Sequence, residues 1–235
     1  MGRAFEYRKA SKMARWDRMA KAFTRVGREI AIAVKAGGPL AETNPSLRRA
    51  IQNAKGVNMP KDRVEAAIKK ASSKDSEAYD EVAYEGYGPY GIAIVVETAT
   101  NNTTRTVANL RNIFTKNDGT LGNSGSVSFM FDRKGVFKFP LNGKDAEELE
   151  FQLIDIGLDS IEIENDIVTA YSKFEDFGTF SKGLDELGIE ATSQELHRIP
   201  NATKELNEEQ TDEILELIDK LEQDDDVQSV YHTLA

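Results

Sequence analysis

The chain has 235 residues, 40% hydrophobic and 30% charged, with a formal net charge of −10, enough for a packed core and one to three domains. It has no cysteine, which excludes a disulfide framework, a thiolate zinc site and a cysteine nucleophile. No apolar run reaches the roughly 18 residues of a membrane span, and the opening "MGRAFEYRKASKMARW" lacks a secretory h-region, so a cytoplasmic location without a membrane partner is expected.

The net charge conceals a partition. Residues 1–75 carry 18 Lys and Arg against 7 Asp and Glu, a net of +11, and the remaining residues carry 12 against 33, a net of −21. Such asymmetry points to nucleic acid or another anionic surface.

The first segment reads as a helix. Trp16, Phe23, Ile30 and Val34, with Ala20 and Gly27 between them, repeat every three or four residues, and so do Arg18, Lys21, Arg25 and Arg28, with Lys35 beyond. At roughly 100° per residue the two stripes lie on opposite faces. "AGGP", residues 36–39, should end the helix. A second helix is expected from the Asn44-Pro45 cap, burying Leu47, Ile51 and Ala54, and a third from Pro60, packing Val64, Ala67, Ile68 and Ala71. Each is too short to be stable alone, so the three should form a bundle.

After residue 78 the pattern changes. "YDEVAYEGYGPYGIAIVVETAT" predicts two strands around Gly88-Pro89-Tyr90-Gly91, which suits a type I turn. A helix capped by Asn102 or Thr103 follows, with Val107, Leu110, Ile113 and Phe114 inward, and "SVSFMF", residues 126–131, alternates as a strand. Residues 135–200 then read as strand Val136–Phe139, helix Ala146–Ile156, strands Ser160–Glu164 and Ile167–Ser172, helix Phe174–Leu187 and strand Thr192–Ile199. That order is the βαββαβ ferredoxin-like unit. The terminal "NEEQTDEILELIDKLEQ" helix and "VQSVYHTL" strand have no partners nearby in sequence and are expected to complete the sheet begun at residue 79. The expected class is α+β multidomain: a basic helical head (1–75), a discontinuous α/β domain (78–132 plus 203–235) and an inserted ferredoxin-like domain (133–200).

The segments "FTRVGREIAIAVKAGG", "NPSLRRAIQNAKGVNMPKDRVEAAIKKA", "YEGYGPYGIAIVVETATNNTTRTVANLRNIFTKNDGTLGNSGSVSFMFDRKG" and "DDDVQSVYH" together resemble the YebC family over nearly the whole chain. The family is bacterial, with a mitochondrial branch known as the translational activator of cytochrome oxidase subunit I. The resemblance implies a helical head, a two-segment α/β domain, an inserted ferredoxin-like domain, a cytoplasmic location and a regulatory rather than enzymatic role. Family members are described as DNA-binding transcriptional regulators or as ribosome-associated translation factors that ease stalling on proline-rich stretches. The usual family start is Gly-His-Ser-Lys-Trp; here Gly2 and the basic density remain and the His-Ser-Lys does not, which suggests a paralogous subgroup.

The candidate site is the head. Arg3, Arg8, Lys9, Lys12, Arg15, Arg18, Lys21, Arg25 and Arg28 provide nine cations against Glu6 and Asp17. Such residues neutralise phosphates and release counterions; the plain alternative is a solvated helix face. With a Debye length of about 8 Å, a projecting head could hold a polyanion clear of the acidic remainder. The expected partner is nucleic acid, DNA or ribosomal RNA, with the ribosome included; no recognisable helix-turn-helix or RRM signature chooses between them.

Elsewhere the plain reading prevails. "GYGPYG" leads into a strand, so it is a hairpin turn and not a phosphate cradle. "GTLGNSGSVS", residues 119–128, reads as a turn with a bulge, with backbone contact to phosphate as the alternative. Arg105, in the first turn of its helix, is unhelpful to the helix dipole and should have an acidic partner or a ligand. Asp224, Asp225 and Asp226 read as a solvated connection without the spacing of a calcium loop. His197 and His232 lack metal-ligand spacing. No metal and no cofactor are expected. A hydrolase or transferase using Ser124, Ser126 or Asp224–Asp226 would need a base beside its nucleophile, and none is evident. A protein-interaction module, with the head docked on an acidic partner, is the remaining alternative.

Overall fold

The computed structural model describes the backbone of residues 3–235 and the side chains of residues 19–235. The chain divides into two compact units, Met1–Tyr79 and Asp80–Ala235.

The first unit holds α1 (Arg3–Gly37), α2 (Pro45–Gly56) and α3 (Lys61–Ala71). Its core joins Val26, Ile30, Ala33 and Val34 of α1 to Leu47, Ala50 and Ala54 of α2 and Val64 and Ala71 of α3. Ile30 and Val34 lie inward as the stripe requires. Gly27 does not: a Cβ there would meet nothing within 4 Å, and Val26 and Ala33 take the inner positions instead. Trp16 lies outside the described side chains.

One residue closes two helices. Asn44 Oδ1 accepts from Leu47 N at 3.0 Å, the N-cap expected for α2, while its Nδ2 donates to Ala33 O at 2.7 Å and Gly38 O at 2.9 Å. The orphan carbonyls at the end of α1 and the orphan amide at the start of α2 are thus satisfied by the same buried side chain. A Cβ on Gly37 would sit 2.7 Å from that amide, so the close crossing needs glycine.

The second unit carries two four-stranded antiparallel sheets. The first has the order β3-β1-β2-β8, from Thr120–Leu121, Asp80–Tyr87, Ala93–Thr100 and Val227–His232. Against one face pack α4 (Thr103–Lys116) and α7 (Glu208–Glu222), enclosing Ile92, Ile94, Val96, Leu110, Phe114, Ile214 and Leu217. β8 pairs antiparallel with β2, so the terminal helix and strand return to the sheet that residue 80 begins. The second sheet has the order β5-β6-β4-β7, from Leu158–Glu164, Ile167–Lys173, Phe131–Pro140 and Ser193–Pro200. With α5 (Ala146–Ile154) and α6 (Phe177–Glu186) it forms the ferredoxin-like βαββαβ arrangement around Phe137, Phe139, Leu153, Val168 and Phe180. A small shared core of Ala93, Val95, Val127 and Phe131, with Met130 and Tyr231 against it, joins the two sheets. Arg198 Nε also donates to Glu97 Oε1 across that seam at 2.8 Å. The fold class is α+β with N-terminal helices.

Two local expectations are corrected. "SVSFMF" is not a strand: Ser128–Met130 form a 3-10 turn, and β4 begins only at Phe131. The amides of Val127 and Ser128 are taken by the Glu85 carboxylate at 2.7 and 2.8 Å, so they are not available to a ladder. The β1–β2 connection is not the type I turn expected at Gly88–Gly91. Tyr90 has φ 60° and ψ 10° and Gly91 has φ 76°, with Ile92 N donating to Pro89 O at 3.4 Å. Two left-handed central residues make a type I′ turn one residue later, whose twist matches an antiparallel hairpin.

Candidate nucleic-acid interface

Six of the nine expected cations, Arg3, Arg8, Lys9, Lys12, Arg15 and Arg18, have side chains outside the described residues. The other three, Lys21, Arg25 and Arg28, stand on α1 about half a turn from the stripe of Val26, Ile30, Ala33 and Val34 that enters the core. The structure therefore places them on the back of the helix, spaced four and three residues apart.

That back is not bare. All three side chains are half-buried. The segment after α3 reaches it: the Arg28 guanidinium lies 5.3 Å from the centroid of the Tyr79 ring, and Lys35 Nζ donates to Ser73 O at 3.5 Å. Tyr79 in turn donates its hydroxyl to Glu77 at 2.9 Å. Burial first, then the Glu77 bond, pushes the Tyr79 hydroxyl above its ordinary pKa, so it stays protonated. A ring over a guanidinium orients the cation without neutralising it. Arg25 and Arg28 engage further neighbouring groups as well. No spacing in the sequence announces the return of Tyr79 to Arg28.

Other head arginines hold the bundle. Arg48 Nη1 donates to Ala41 O and Glu42 O at 2.8 and 2.9 Å, fastening the α1–α2 connection. The Arg63 guanidinium covers the Phe23 ring at 5.7 Å. The head's positive charge thus serves both folding and surface potential.

The glycine-rich loop resolves differently from either reading. Glu85 is 6% exposed. Its Oε1 accepts from Gly125 N at 2.8 Å and its Oε2 from Val127 N and Ser128 N. The loop does form an anion-binding concavity, and the chain's own carboxylate fills it. Burial alone raises the Glu85 pKa; the three amides and the Arg198 charge outweigh it and hold it below the ordinary value.

Arg105 has its acidic partner. Its Nη2 donates to both oxygens of Asp226, at 2.6 and 2.9 Å, and to Asn101 Oδ1 at 3.1 Å. Asp226 is therefore not part of a solvated connection: it is 2% exposed and also accepts from Thr100 Oγ1 at 3.1 Å and Thr106 Oγ1 at 2.8 Å. Burial raises its pKa, and the bonds from Arg105, Thr106 and Thr100 bring it below the ordinary value. Asp224 accepts from Asn109 at 3.1 Å and from Asp226 N at 2.9 Å. The triplet ties the start of α4 to the start of β8, which its sequence did not suggest.

His197 Nε2 lies 2.9 Å from Glu195 Oε2, and burial pushes the pKa of His232 below its ordinary value. Among the described residues no three His, Asp or Glu side chains cluster as a metal site, and no helix is long and apolar enough to cross a membrane.

Comparison with known proteins follows the same division. Residues 3–74 match the family model described as the TACO1/YebC protein N-terminal domain, and residues 79–234 match that of the TACO1/YebC second and third domain. A "probable transcriptional regulatory protein" of Flavobacterium psychrophilum is 54% identical over 234 residues, covering 100% of this chain and 99% of the relative. One of Cytophaga hutchinsonii, of the same printed name, is 55% identical over 235 residues, covering 100% and 99%. The crystal structure of a conserved hypothetical protein from Aquifex aeolicus superposes with a TM-score of 0.81 at 36% identity, over 92% of this chain and 90% of that one. With both units matched in order and full-length relatives above half identity, the chain belongs to the TACO1/YebC family.

Proposed function

We propose that this protein is a non-enzymatic regulator of transcription that binds DNA through the cationic back of α1. The observation that carries the reading is the placement of Lys21, Arg25 and Arg28 opposite the buried face of α1, in a segment of net +11 within an otherwise acidic chain. The relatives' printed names support the regulatory half. From Lys21 to Arg28 the helix rises about 10 Å, over which duplex DNA carries roughly six phosphates. The Tyr79 ring against Arg28 limits the side-chain freedom lost when a phosphate arrives. The net negative charge of the second unit disfavours phosphate over most of that unit's own surface.

The test is a salt series. Binding of the full-length chain to a mixed-sequence duplex should give a linear fall of log affinity with log salt. Three phosphate contacts alone contribute a slope of about −2.7, and each further head cation in contact adds about −0.9. A profile flat in salt overturns the reading. Tighter binding to a ribosomal RNA hairpin than to the duplex would move the target from DNA to RNA.

A further inference from the structure

Phe129 is 71% exposed, yet the backbone beneath it is fixed. Gly122 N donates to Glu85 O at 2.7 Å, and the Glu85 carboxylate holds the amides of Gly125, Val127 and Ser128. The Tyr87 hydroxyl donates to Ser126 O at 3.3 Å. Met130 N donates to Val127 O, and Asn201 N to Met130 O, both at 2.9 Å. The neighbours Val127 and Phe131 are buried in the core between the sheets. The fold therefore turns the side chain of Phe129 outward, from a backbone that is fixed before any ligand arrives.

We propose that Phe129 is a stacking platform for an unpaired nucleobase. This rests on the reading that the chain binds nucleic acid and adds a second, sequence-tolerant contact made by the second unit. Two observations favour a base over an apolar protein pocket. First, no charged residue lies between Asp118 and Asp132, and the Glu85 carboxylate under the loop is 6% exposed and bonded to three amides, so the loop presents little bare negative charge to a phosphate chain. The same loop exposes the amide of Asn123 and the hydroxyl of Ser124, with Ser128 half-buried, neutral hydrogen-bonding groups that suit base edges. Second, the other exposed phenylalanines among the described residues lack this setting. Phe151, also 71% exposed, shares α5 with Glu147, Glu148 and Glu150. Phe174 is already covered by the Arg133 guanidinium at 4.1 Å.

The test compares Phe129→Ala, Phe129→Leu and Phe129→Trp in the full chain, with a labelled single-stranded 20-mer and its duplex as probes. The exposed ring makes all three variants compatible with the fold, which circular dichroism checks. Stacking predicts about tenfold weaker single-strand binding for the Ala and Leu variants, since aliphatic area offers no π face. It predicts near-parent affinity for the Trp variant, a smaller loss on duplex, and an unchanged salt slope because no charge is altered. Parent-like single-strand affinity in either the Ala or the Leu variant overturns the proposal. A Lys21, Arg25, Arg28→Gln chain separates the two readings. If it loses binding while Phe129→Ala does not, only the stacking contact falls. If it binds both probes like the parent, the head interface falls.

Discussion

The head and the acidic body use charge in opposite ways. In the head, Lys21, Arg25 and Arg28 stand on the side of α1 away from Val26, Ile30, Ala33 and Val34, outside the apolar core. In the body, two carboxylates are pulled inside. Glu85 holds the 122–128 loop through three amides, and Asp226 ties α4 to β8 through Arg105, Thr100 and Thr106. A net charge of −21 for residues 76–235 describes the potential around the body. It says nothing about the few acids whose removal would unfasten loops.

The largest expected effect breaks the comparison at the head. Replacing Arg18, Lys21, Arg25 and Arg28 by Gln removes four potential phosphate contacts. At about 0.9 decade per contact per decade of salt, duplex affinity at 0.1 M salt should fall on the order of a thousandfold. The urea midpoint should fall far less than the affinity, because half-buried surface charges such as Lys21, Arg25 and Arg28 contribute modestly to folding. Fluorescence of Trp16, the single tryptophan, follows the head segment in both measurements. The converse change is in the body. Glu85→Ala leaves three amides without their charged acceptor and should cost about 3 kcal/mol, read from urea unfolding by tyrosine near-UV dichroism, while leaving the salt slope on duplex DNA unchanged.

Acid should separate the two regions further. The folded pKa values of Glu85 and Asp226 lie below their ordinary values of 4.5 and 3.8. The unfolded chain therefore binds protons first as pH falls. Their contribution is complete above roughly pH 5 and is lost as pH drops through the lowered folded values. The body's urea midpoint should stay level from neutrality to about pH 5 and decline below about pH 4. In Glu85→Gln the decline should be shallower, because one of the body's carboxylates with a lowered pKa is gone, while Asp226 and Glu195 remain. A transition that moves equally in Trp16 fluorescence and tyrosine dichroism would contradict the assignment to the body.

Local signals in the chain led to much of this architecture. The Asn44-Pro45 cap and the βαββαβ alternation were readable because each depends on residues a few positions apart, whereas the Asn207 capping box with Gln210 went unread. The return of β8 to β2 followed from an amphipathic helix and a strand with no local partner. What was not legible depended on groups meeting across long separations. Glu85 reaches amides about 40 residues away and so converts an alternating "SVSFMF" into a 3-10 turn. Asp226 meets Thr106 and Arg105 about 120 residues back, which turns an ordinary acidic connection into a buried tie. At the candidate interface the cationic periodicity placed Lys21, Arg25 and Arg28 on the back of α1, but nothing in it foretold the Tyr79 ring against Arg28. Tyr90 held a further surprise: its left-handed conformation in a type I′ turn comes with a hydroxyl bonded to Glu213 at 2.6 Å, a contact outside the turn.

The smallest expected effect tests the head's geometry without touching its charge. Gly27 reads as a small residue on the inner stripe, a place where glycine would let another helix approach. The structure gives it no such role, since a Cβ there would meet nothing within 4 Å and the surrounding backbone is helical. Glycine in a helix interior costs roughly 0.5–1 kcal/mol relative to alanine, through the freedom it must give up on folding. Gly27→Ala should therefore stabilise the head by about that amount, seen as a higher urea midpoint in Trp16 fluorescence. Duplex affinity and salt slope should stay at the parent values, because Lys21, Arg25 and Arg28 keep their places on the helix. Destabilisation instead would mean that the inner stripe does include position 27, and that the cations lie correspondingly closer to the core.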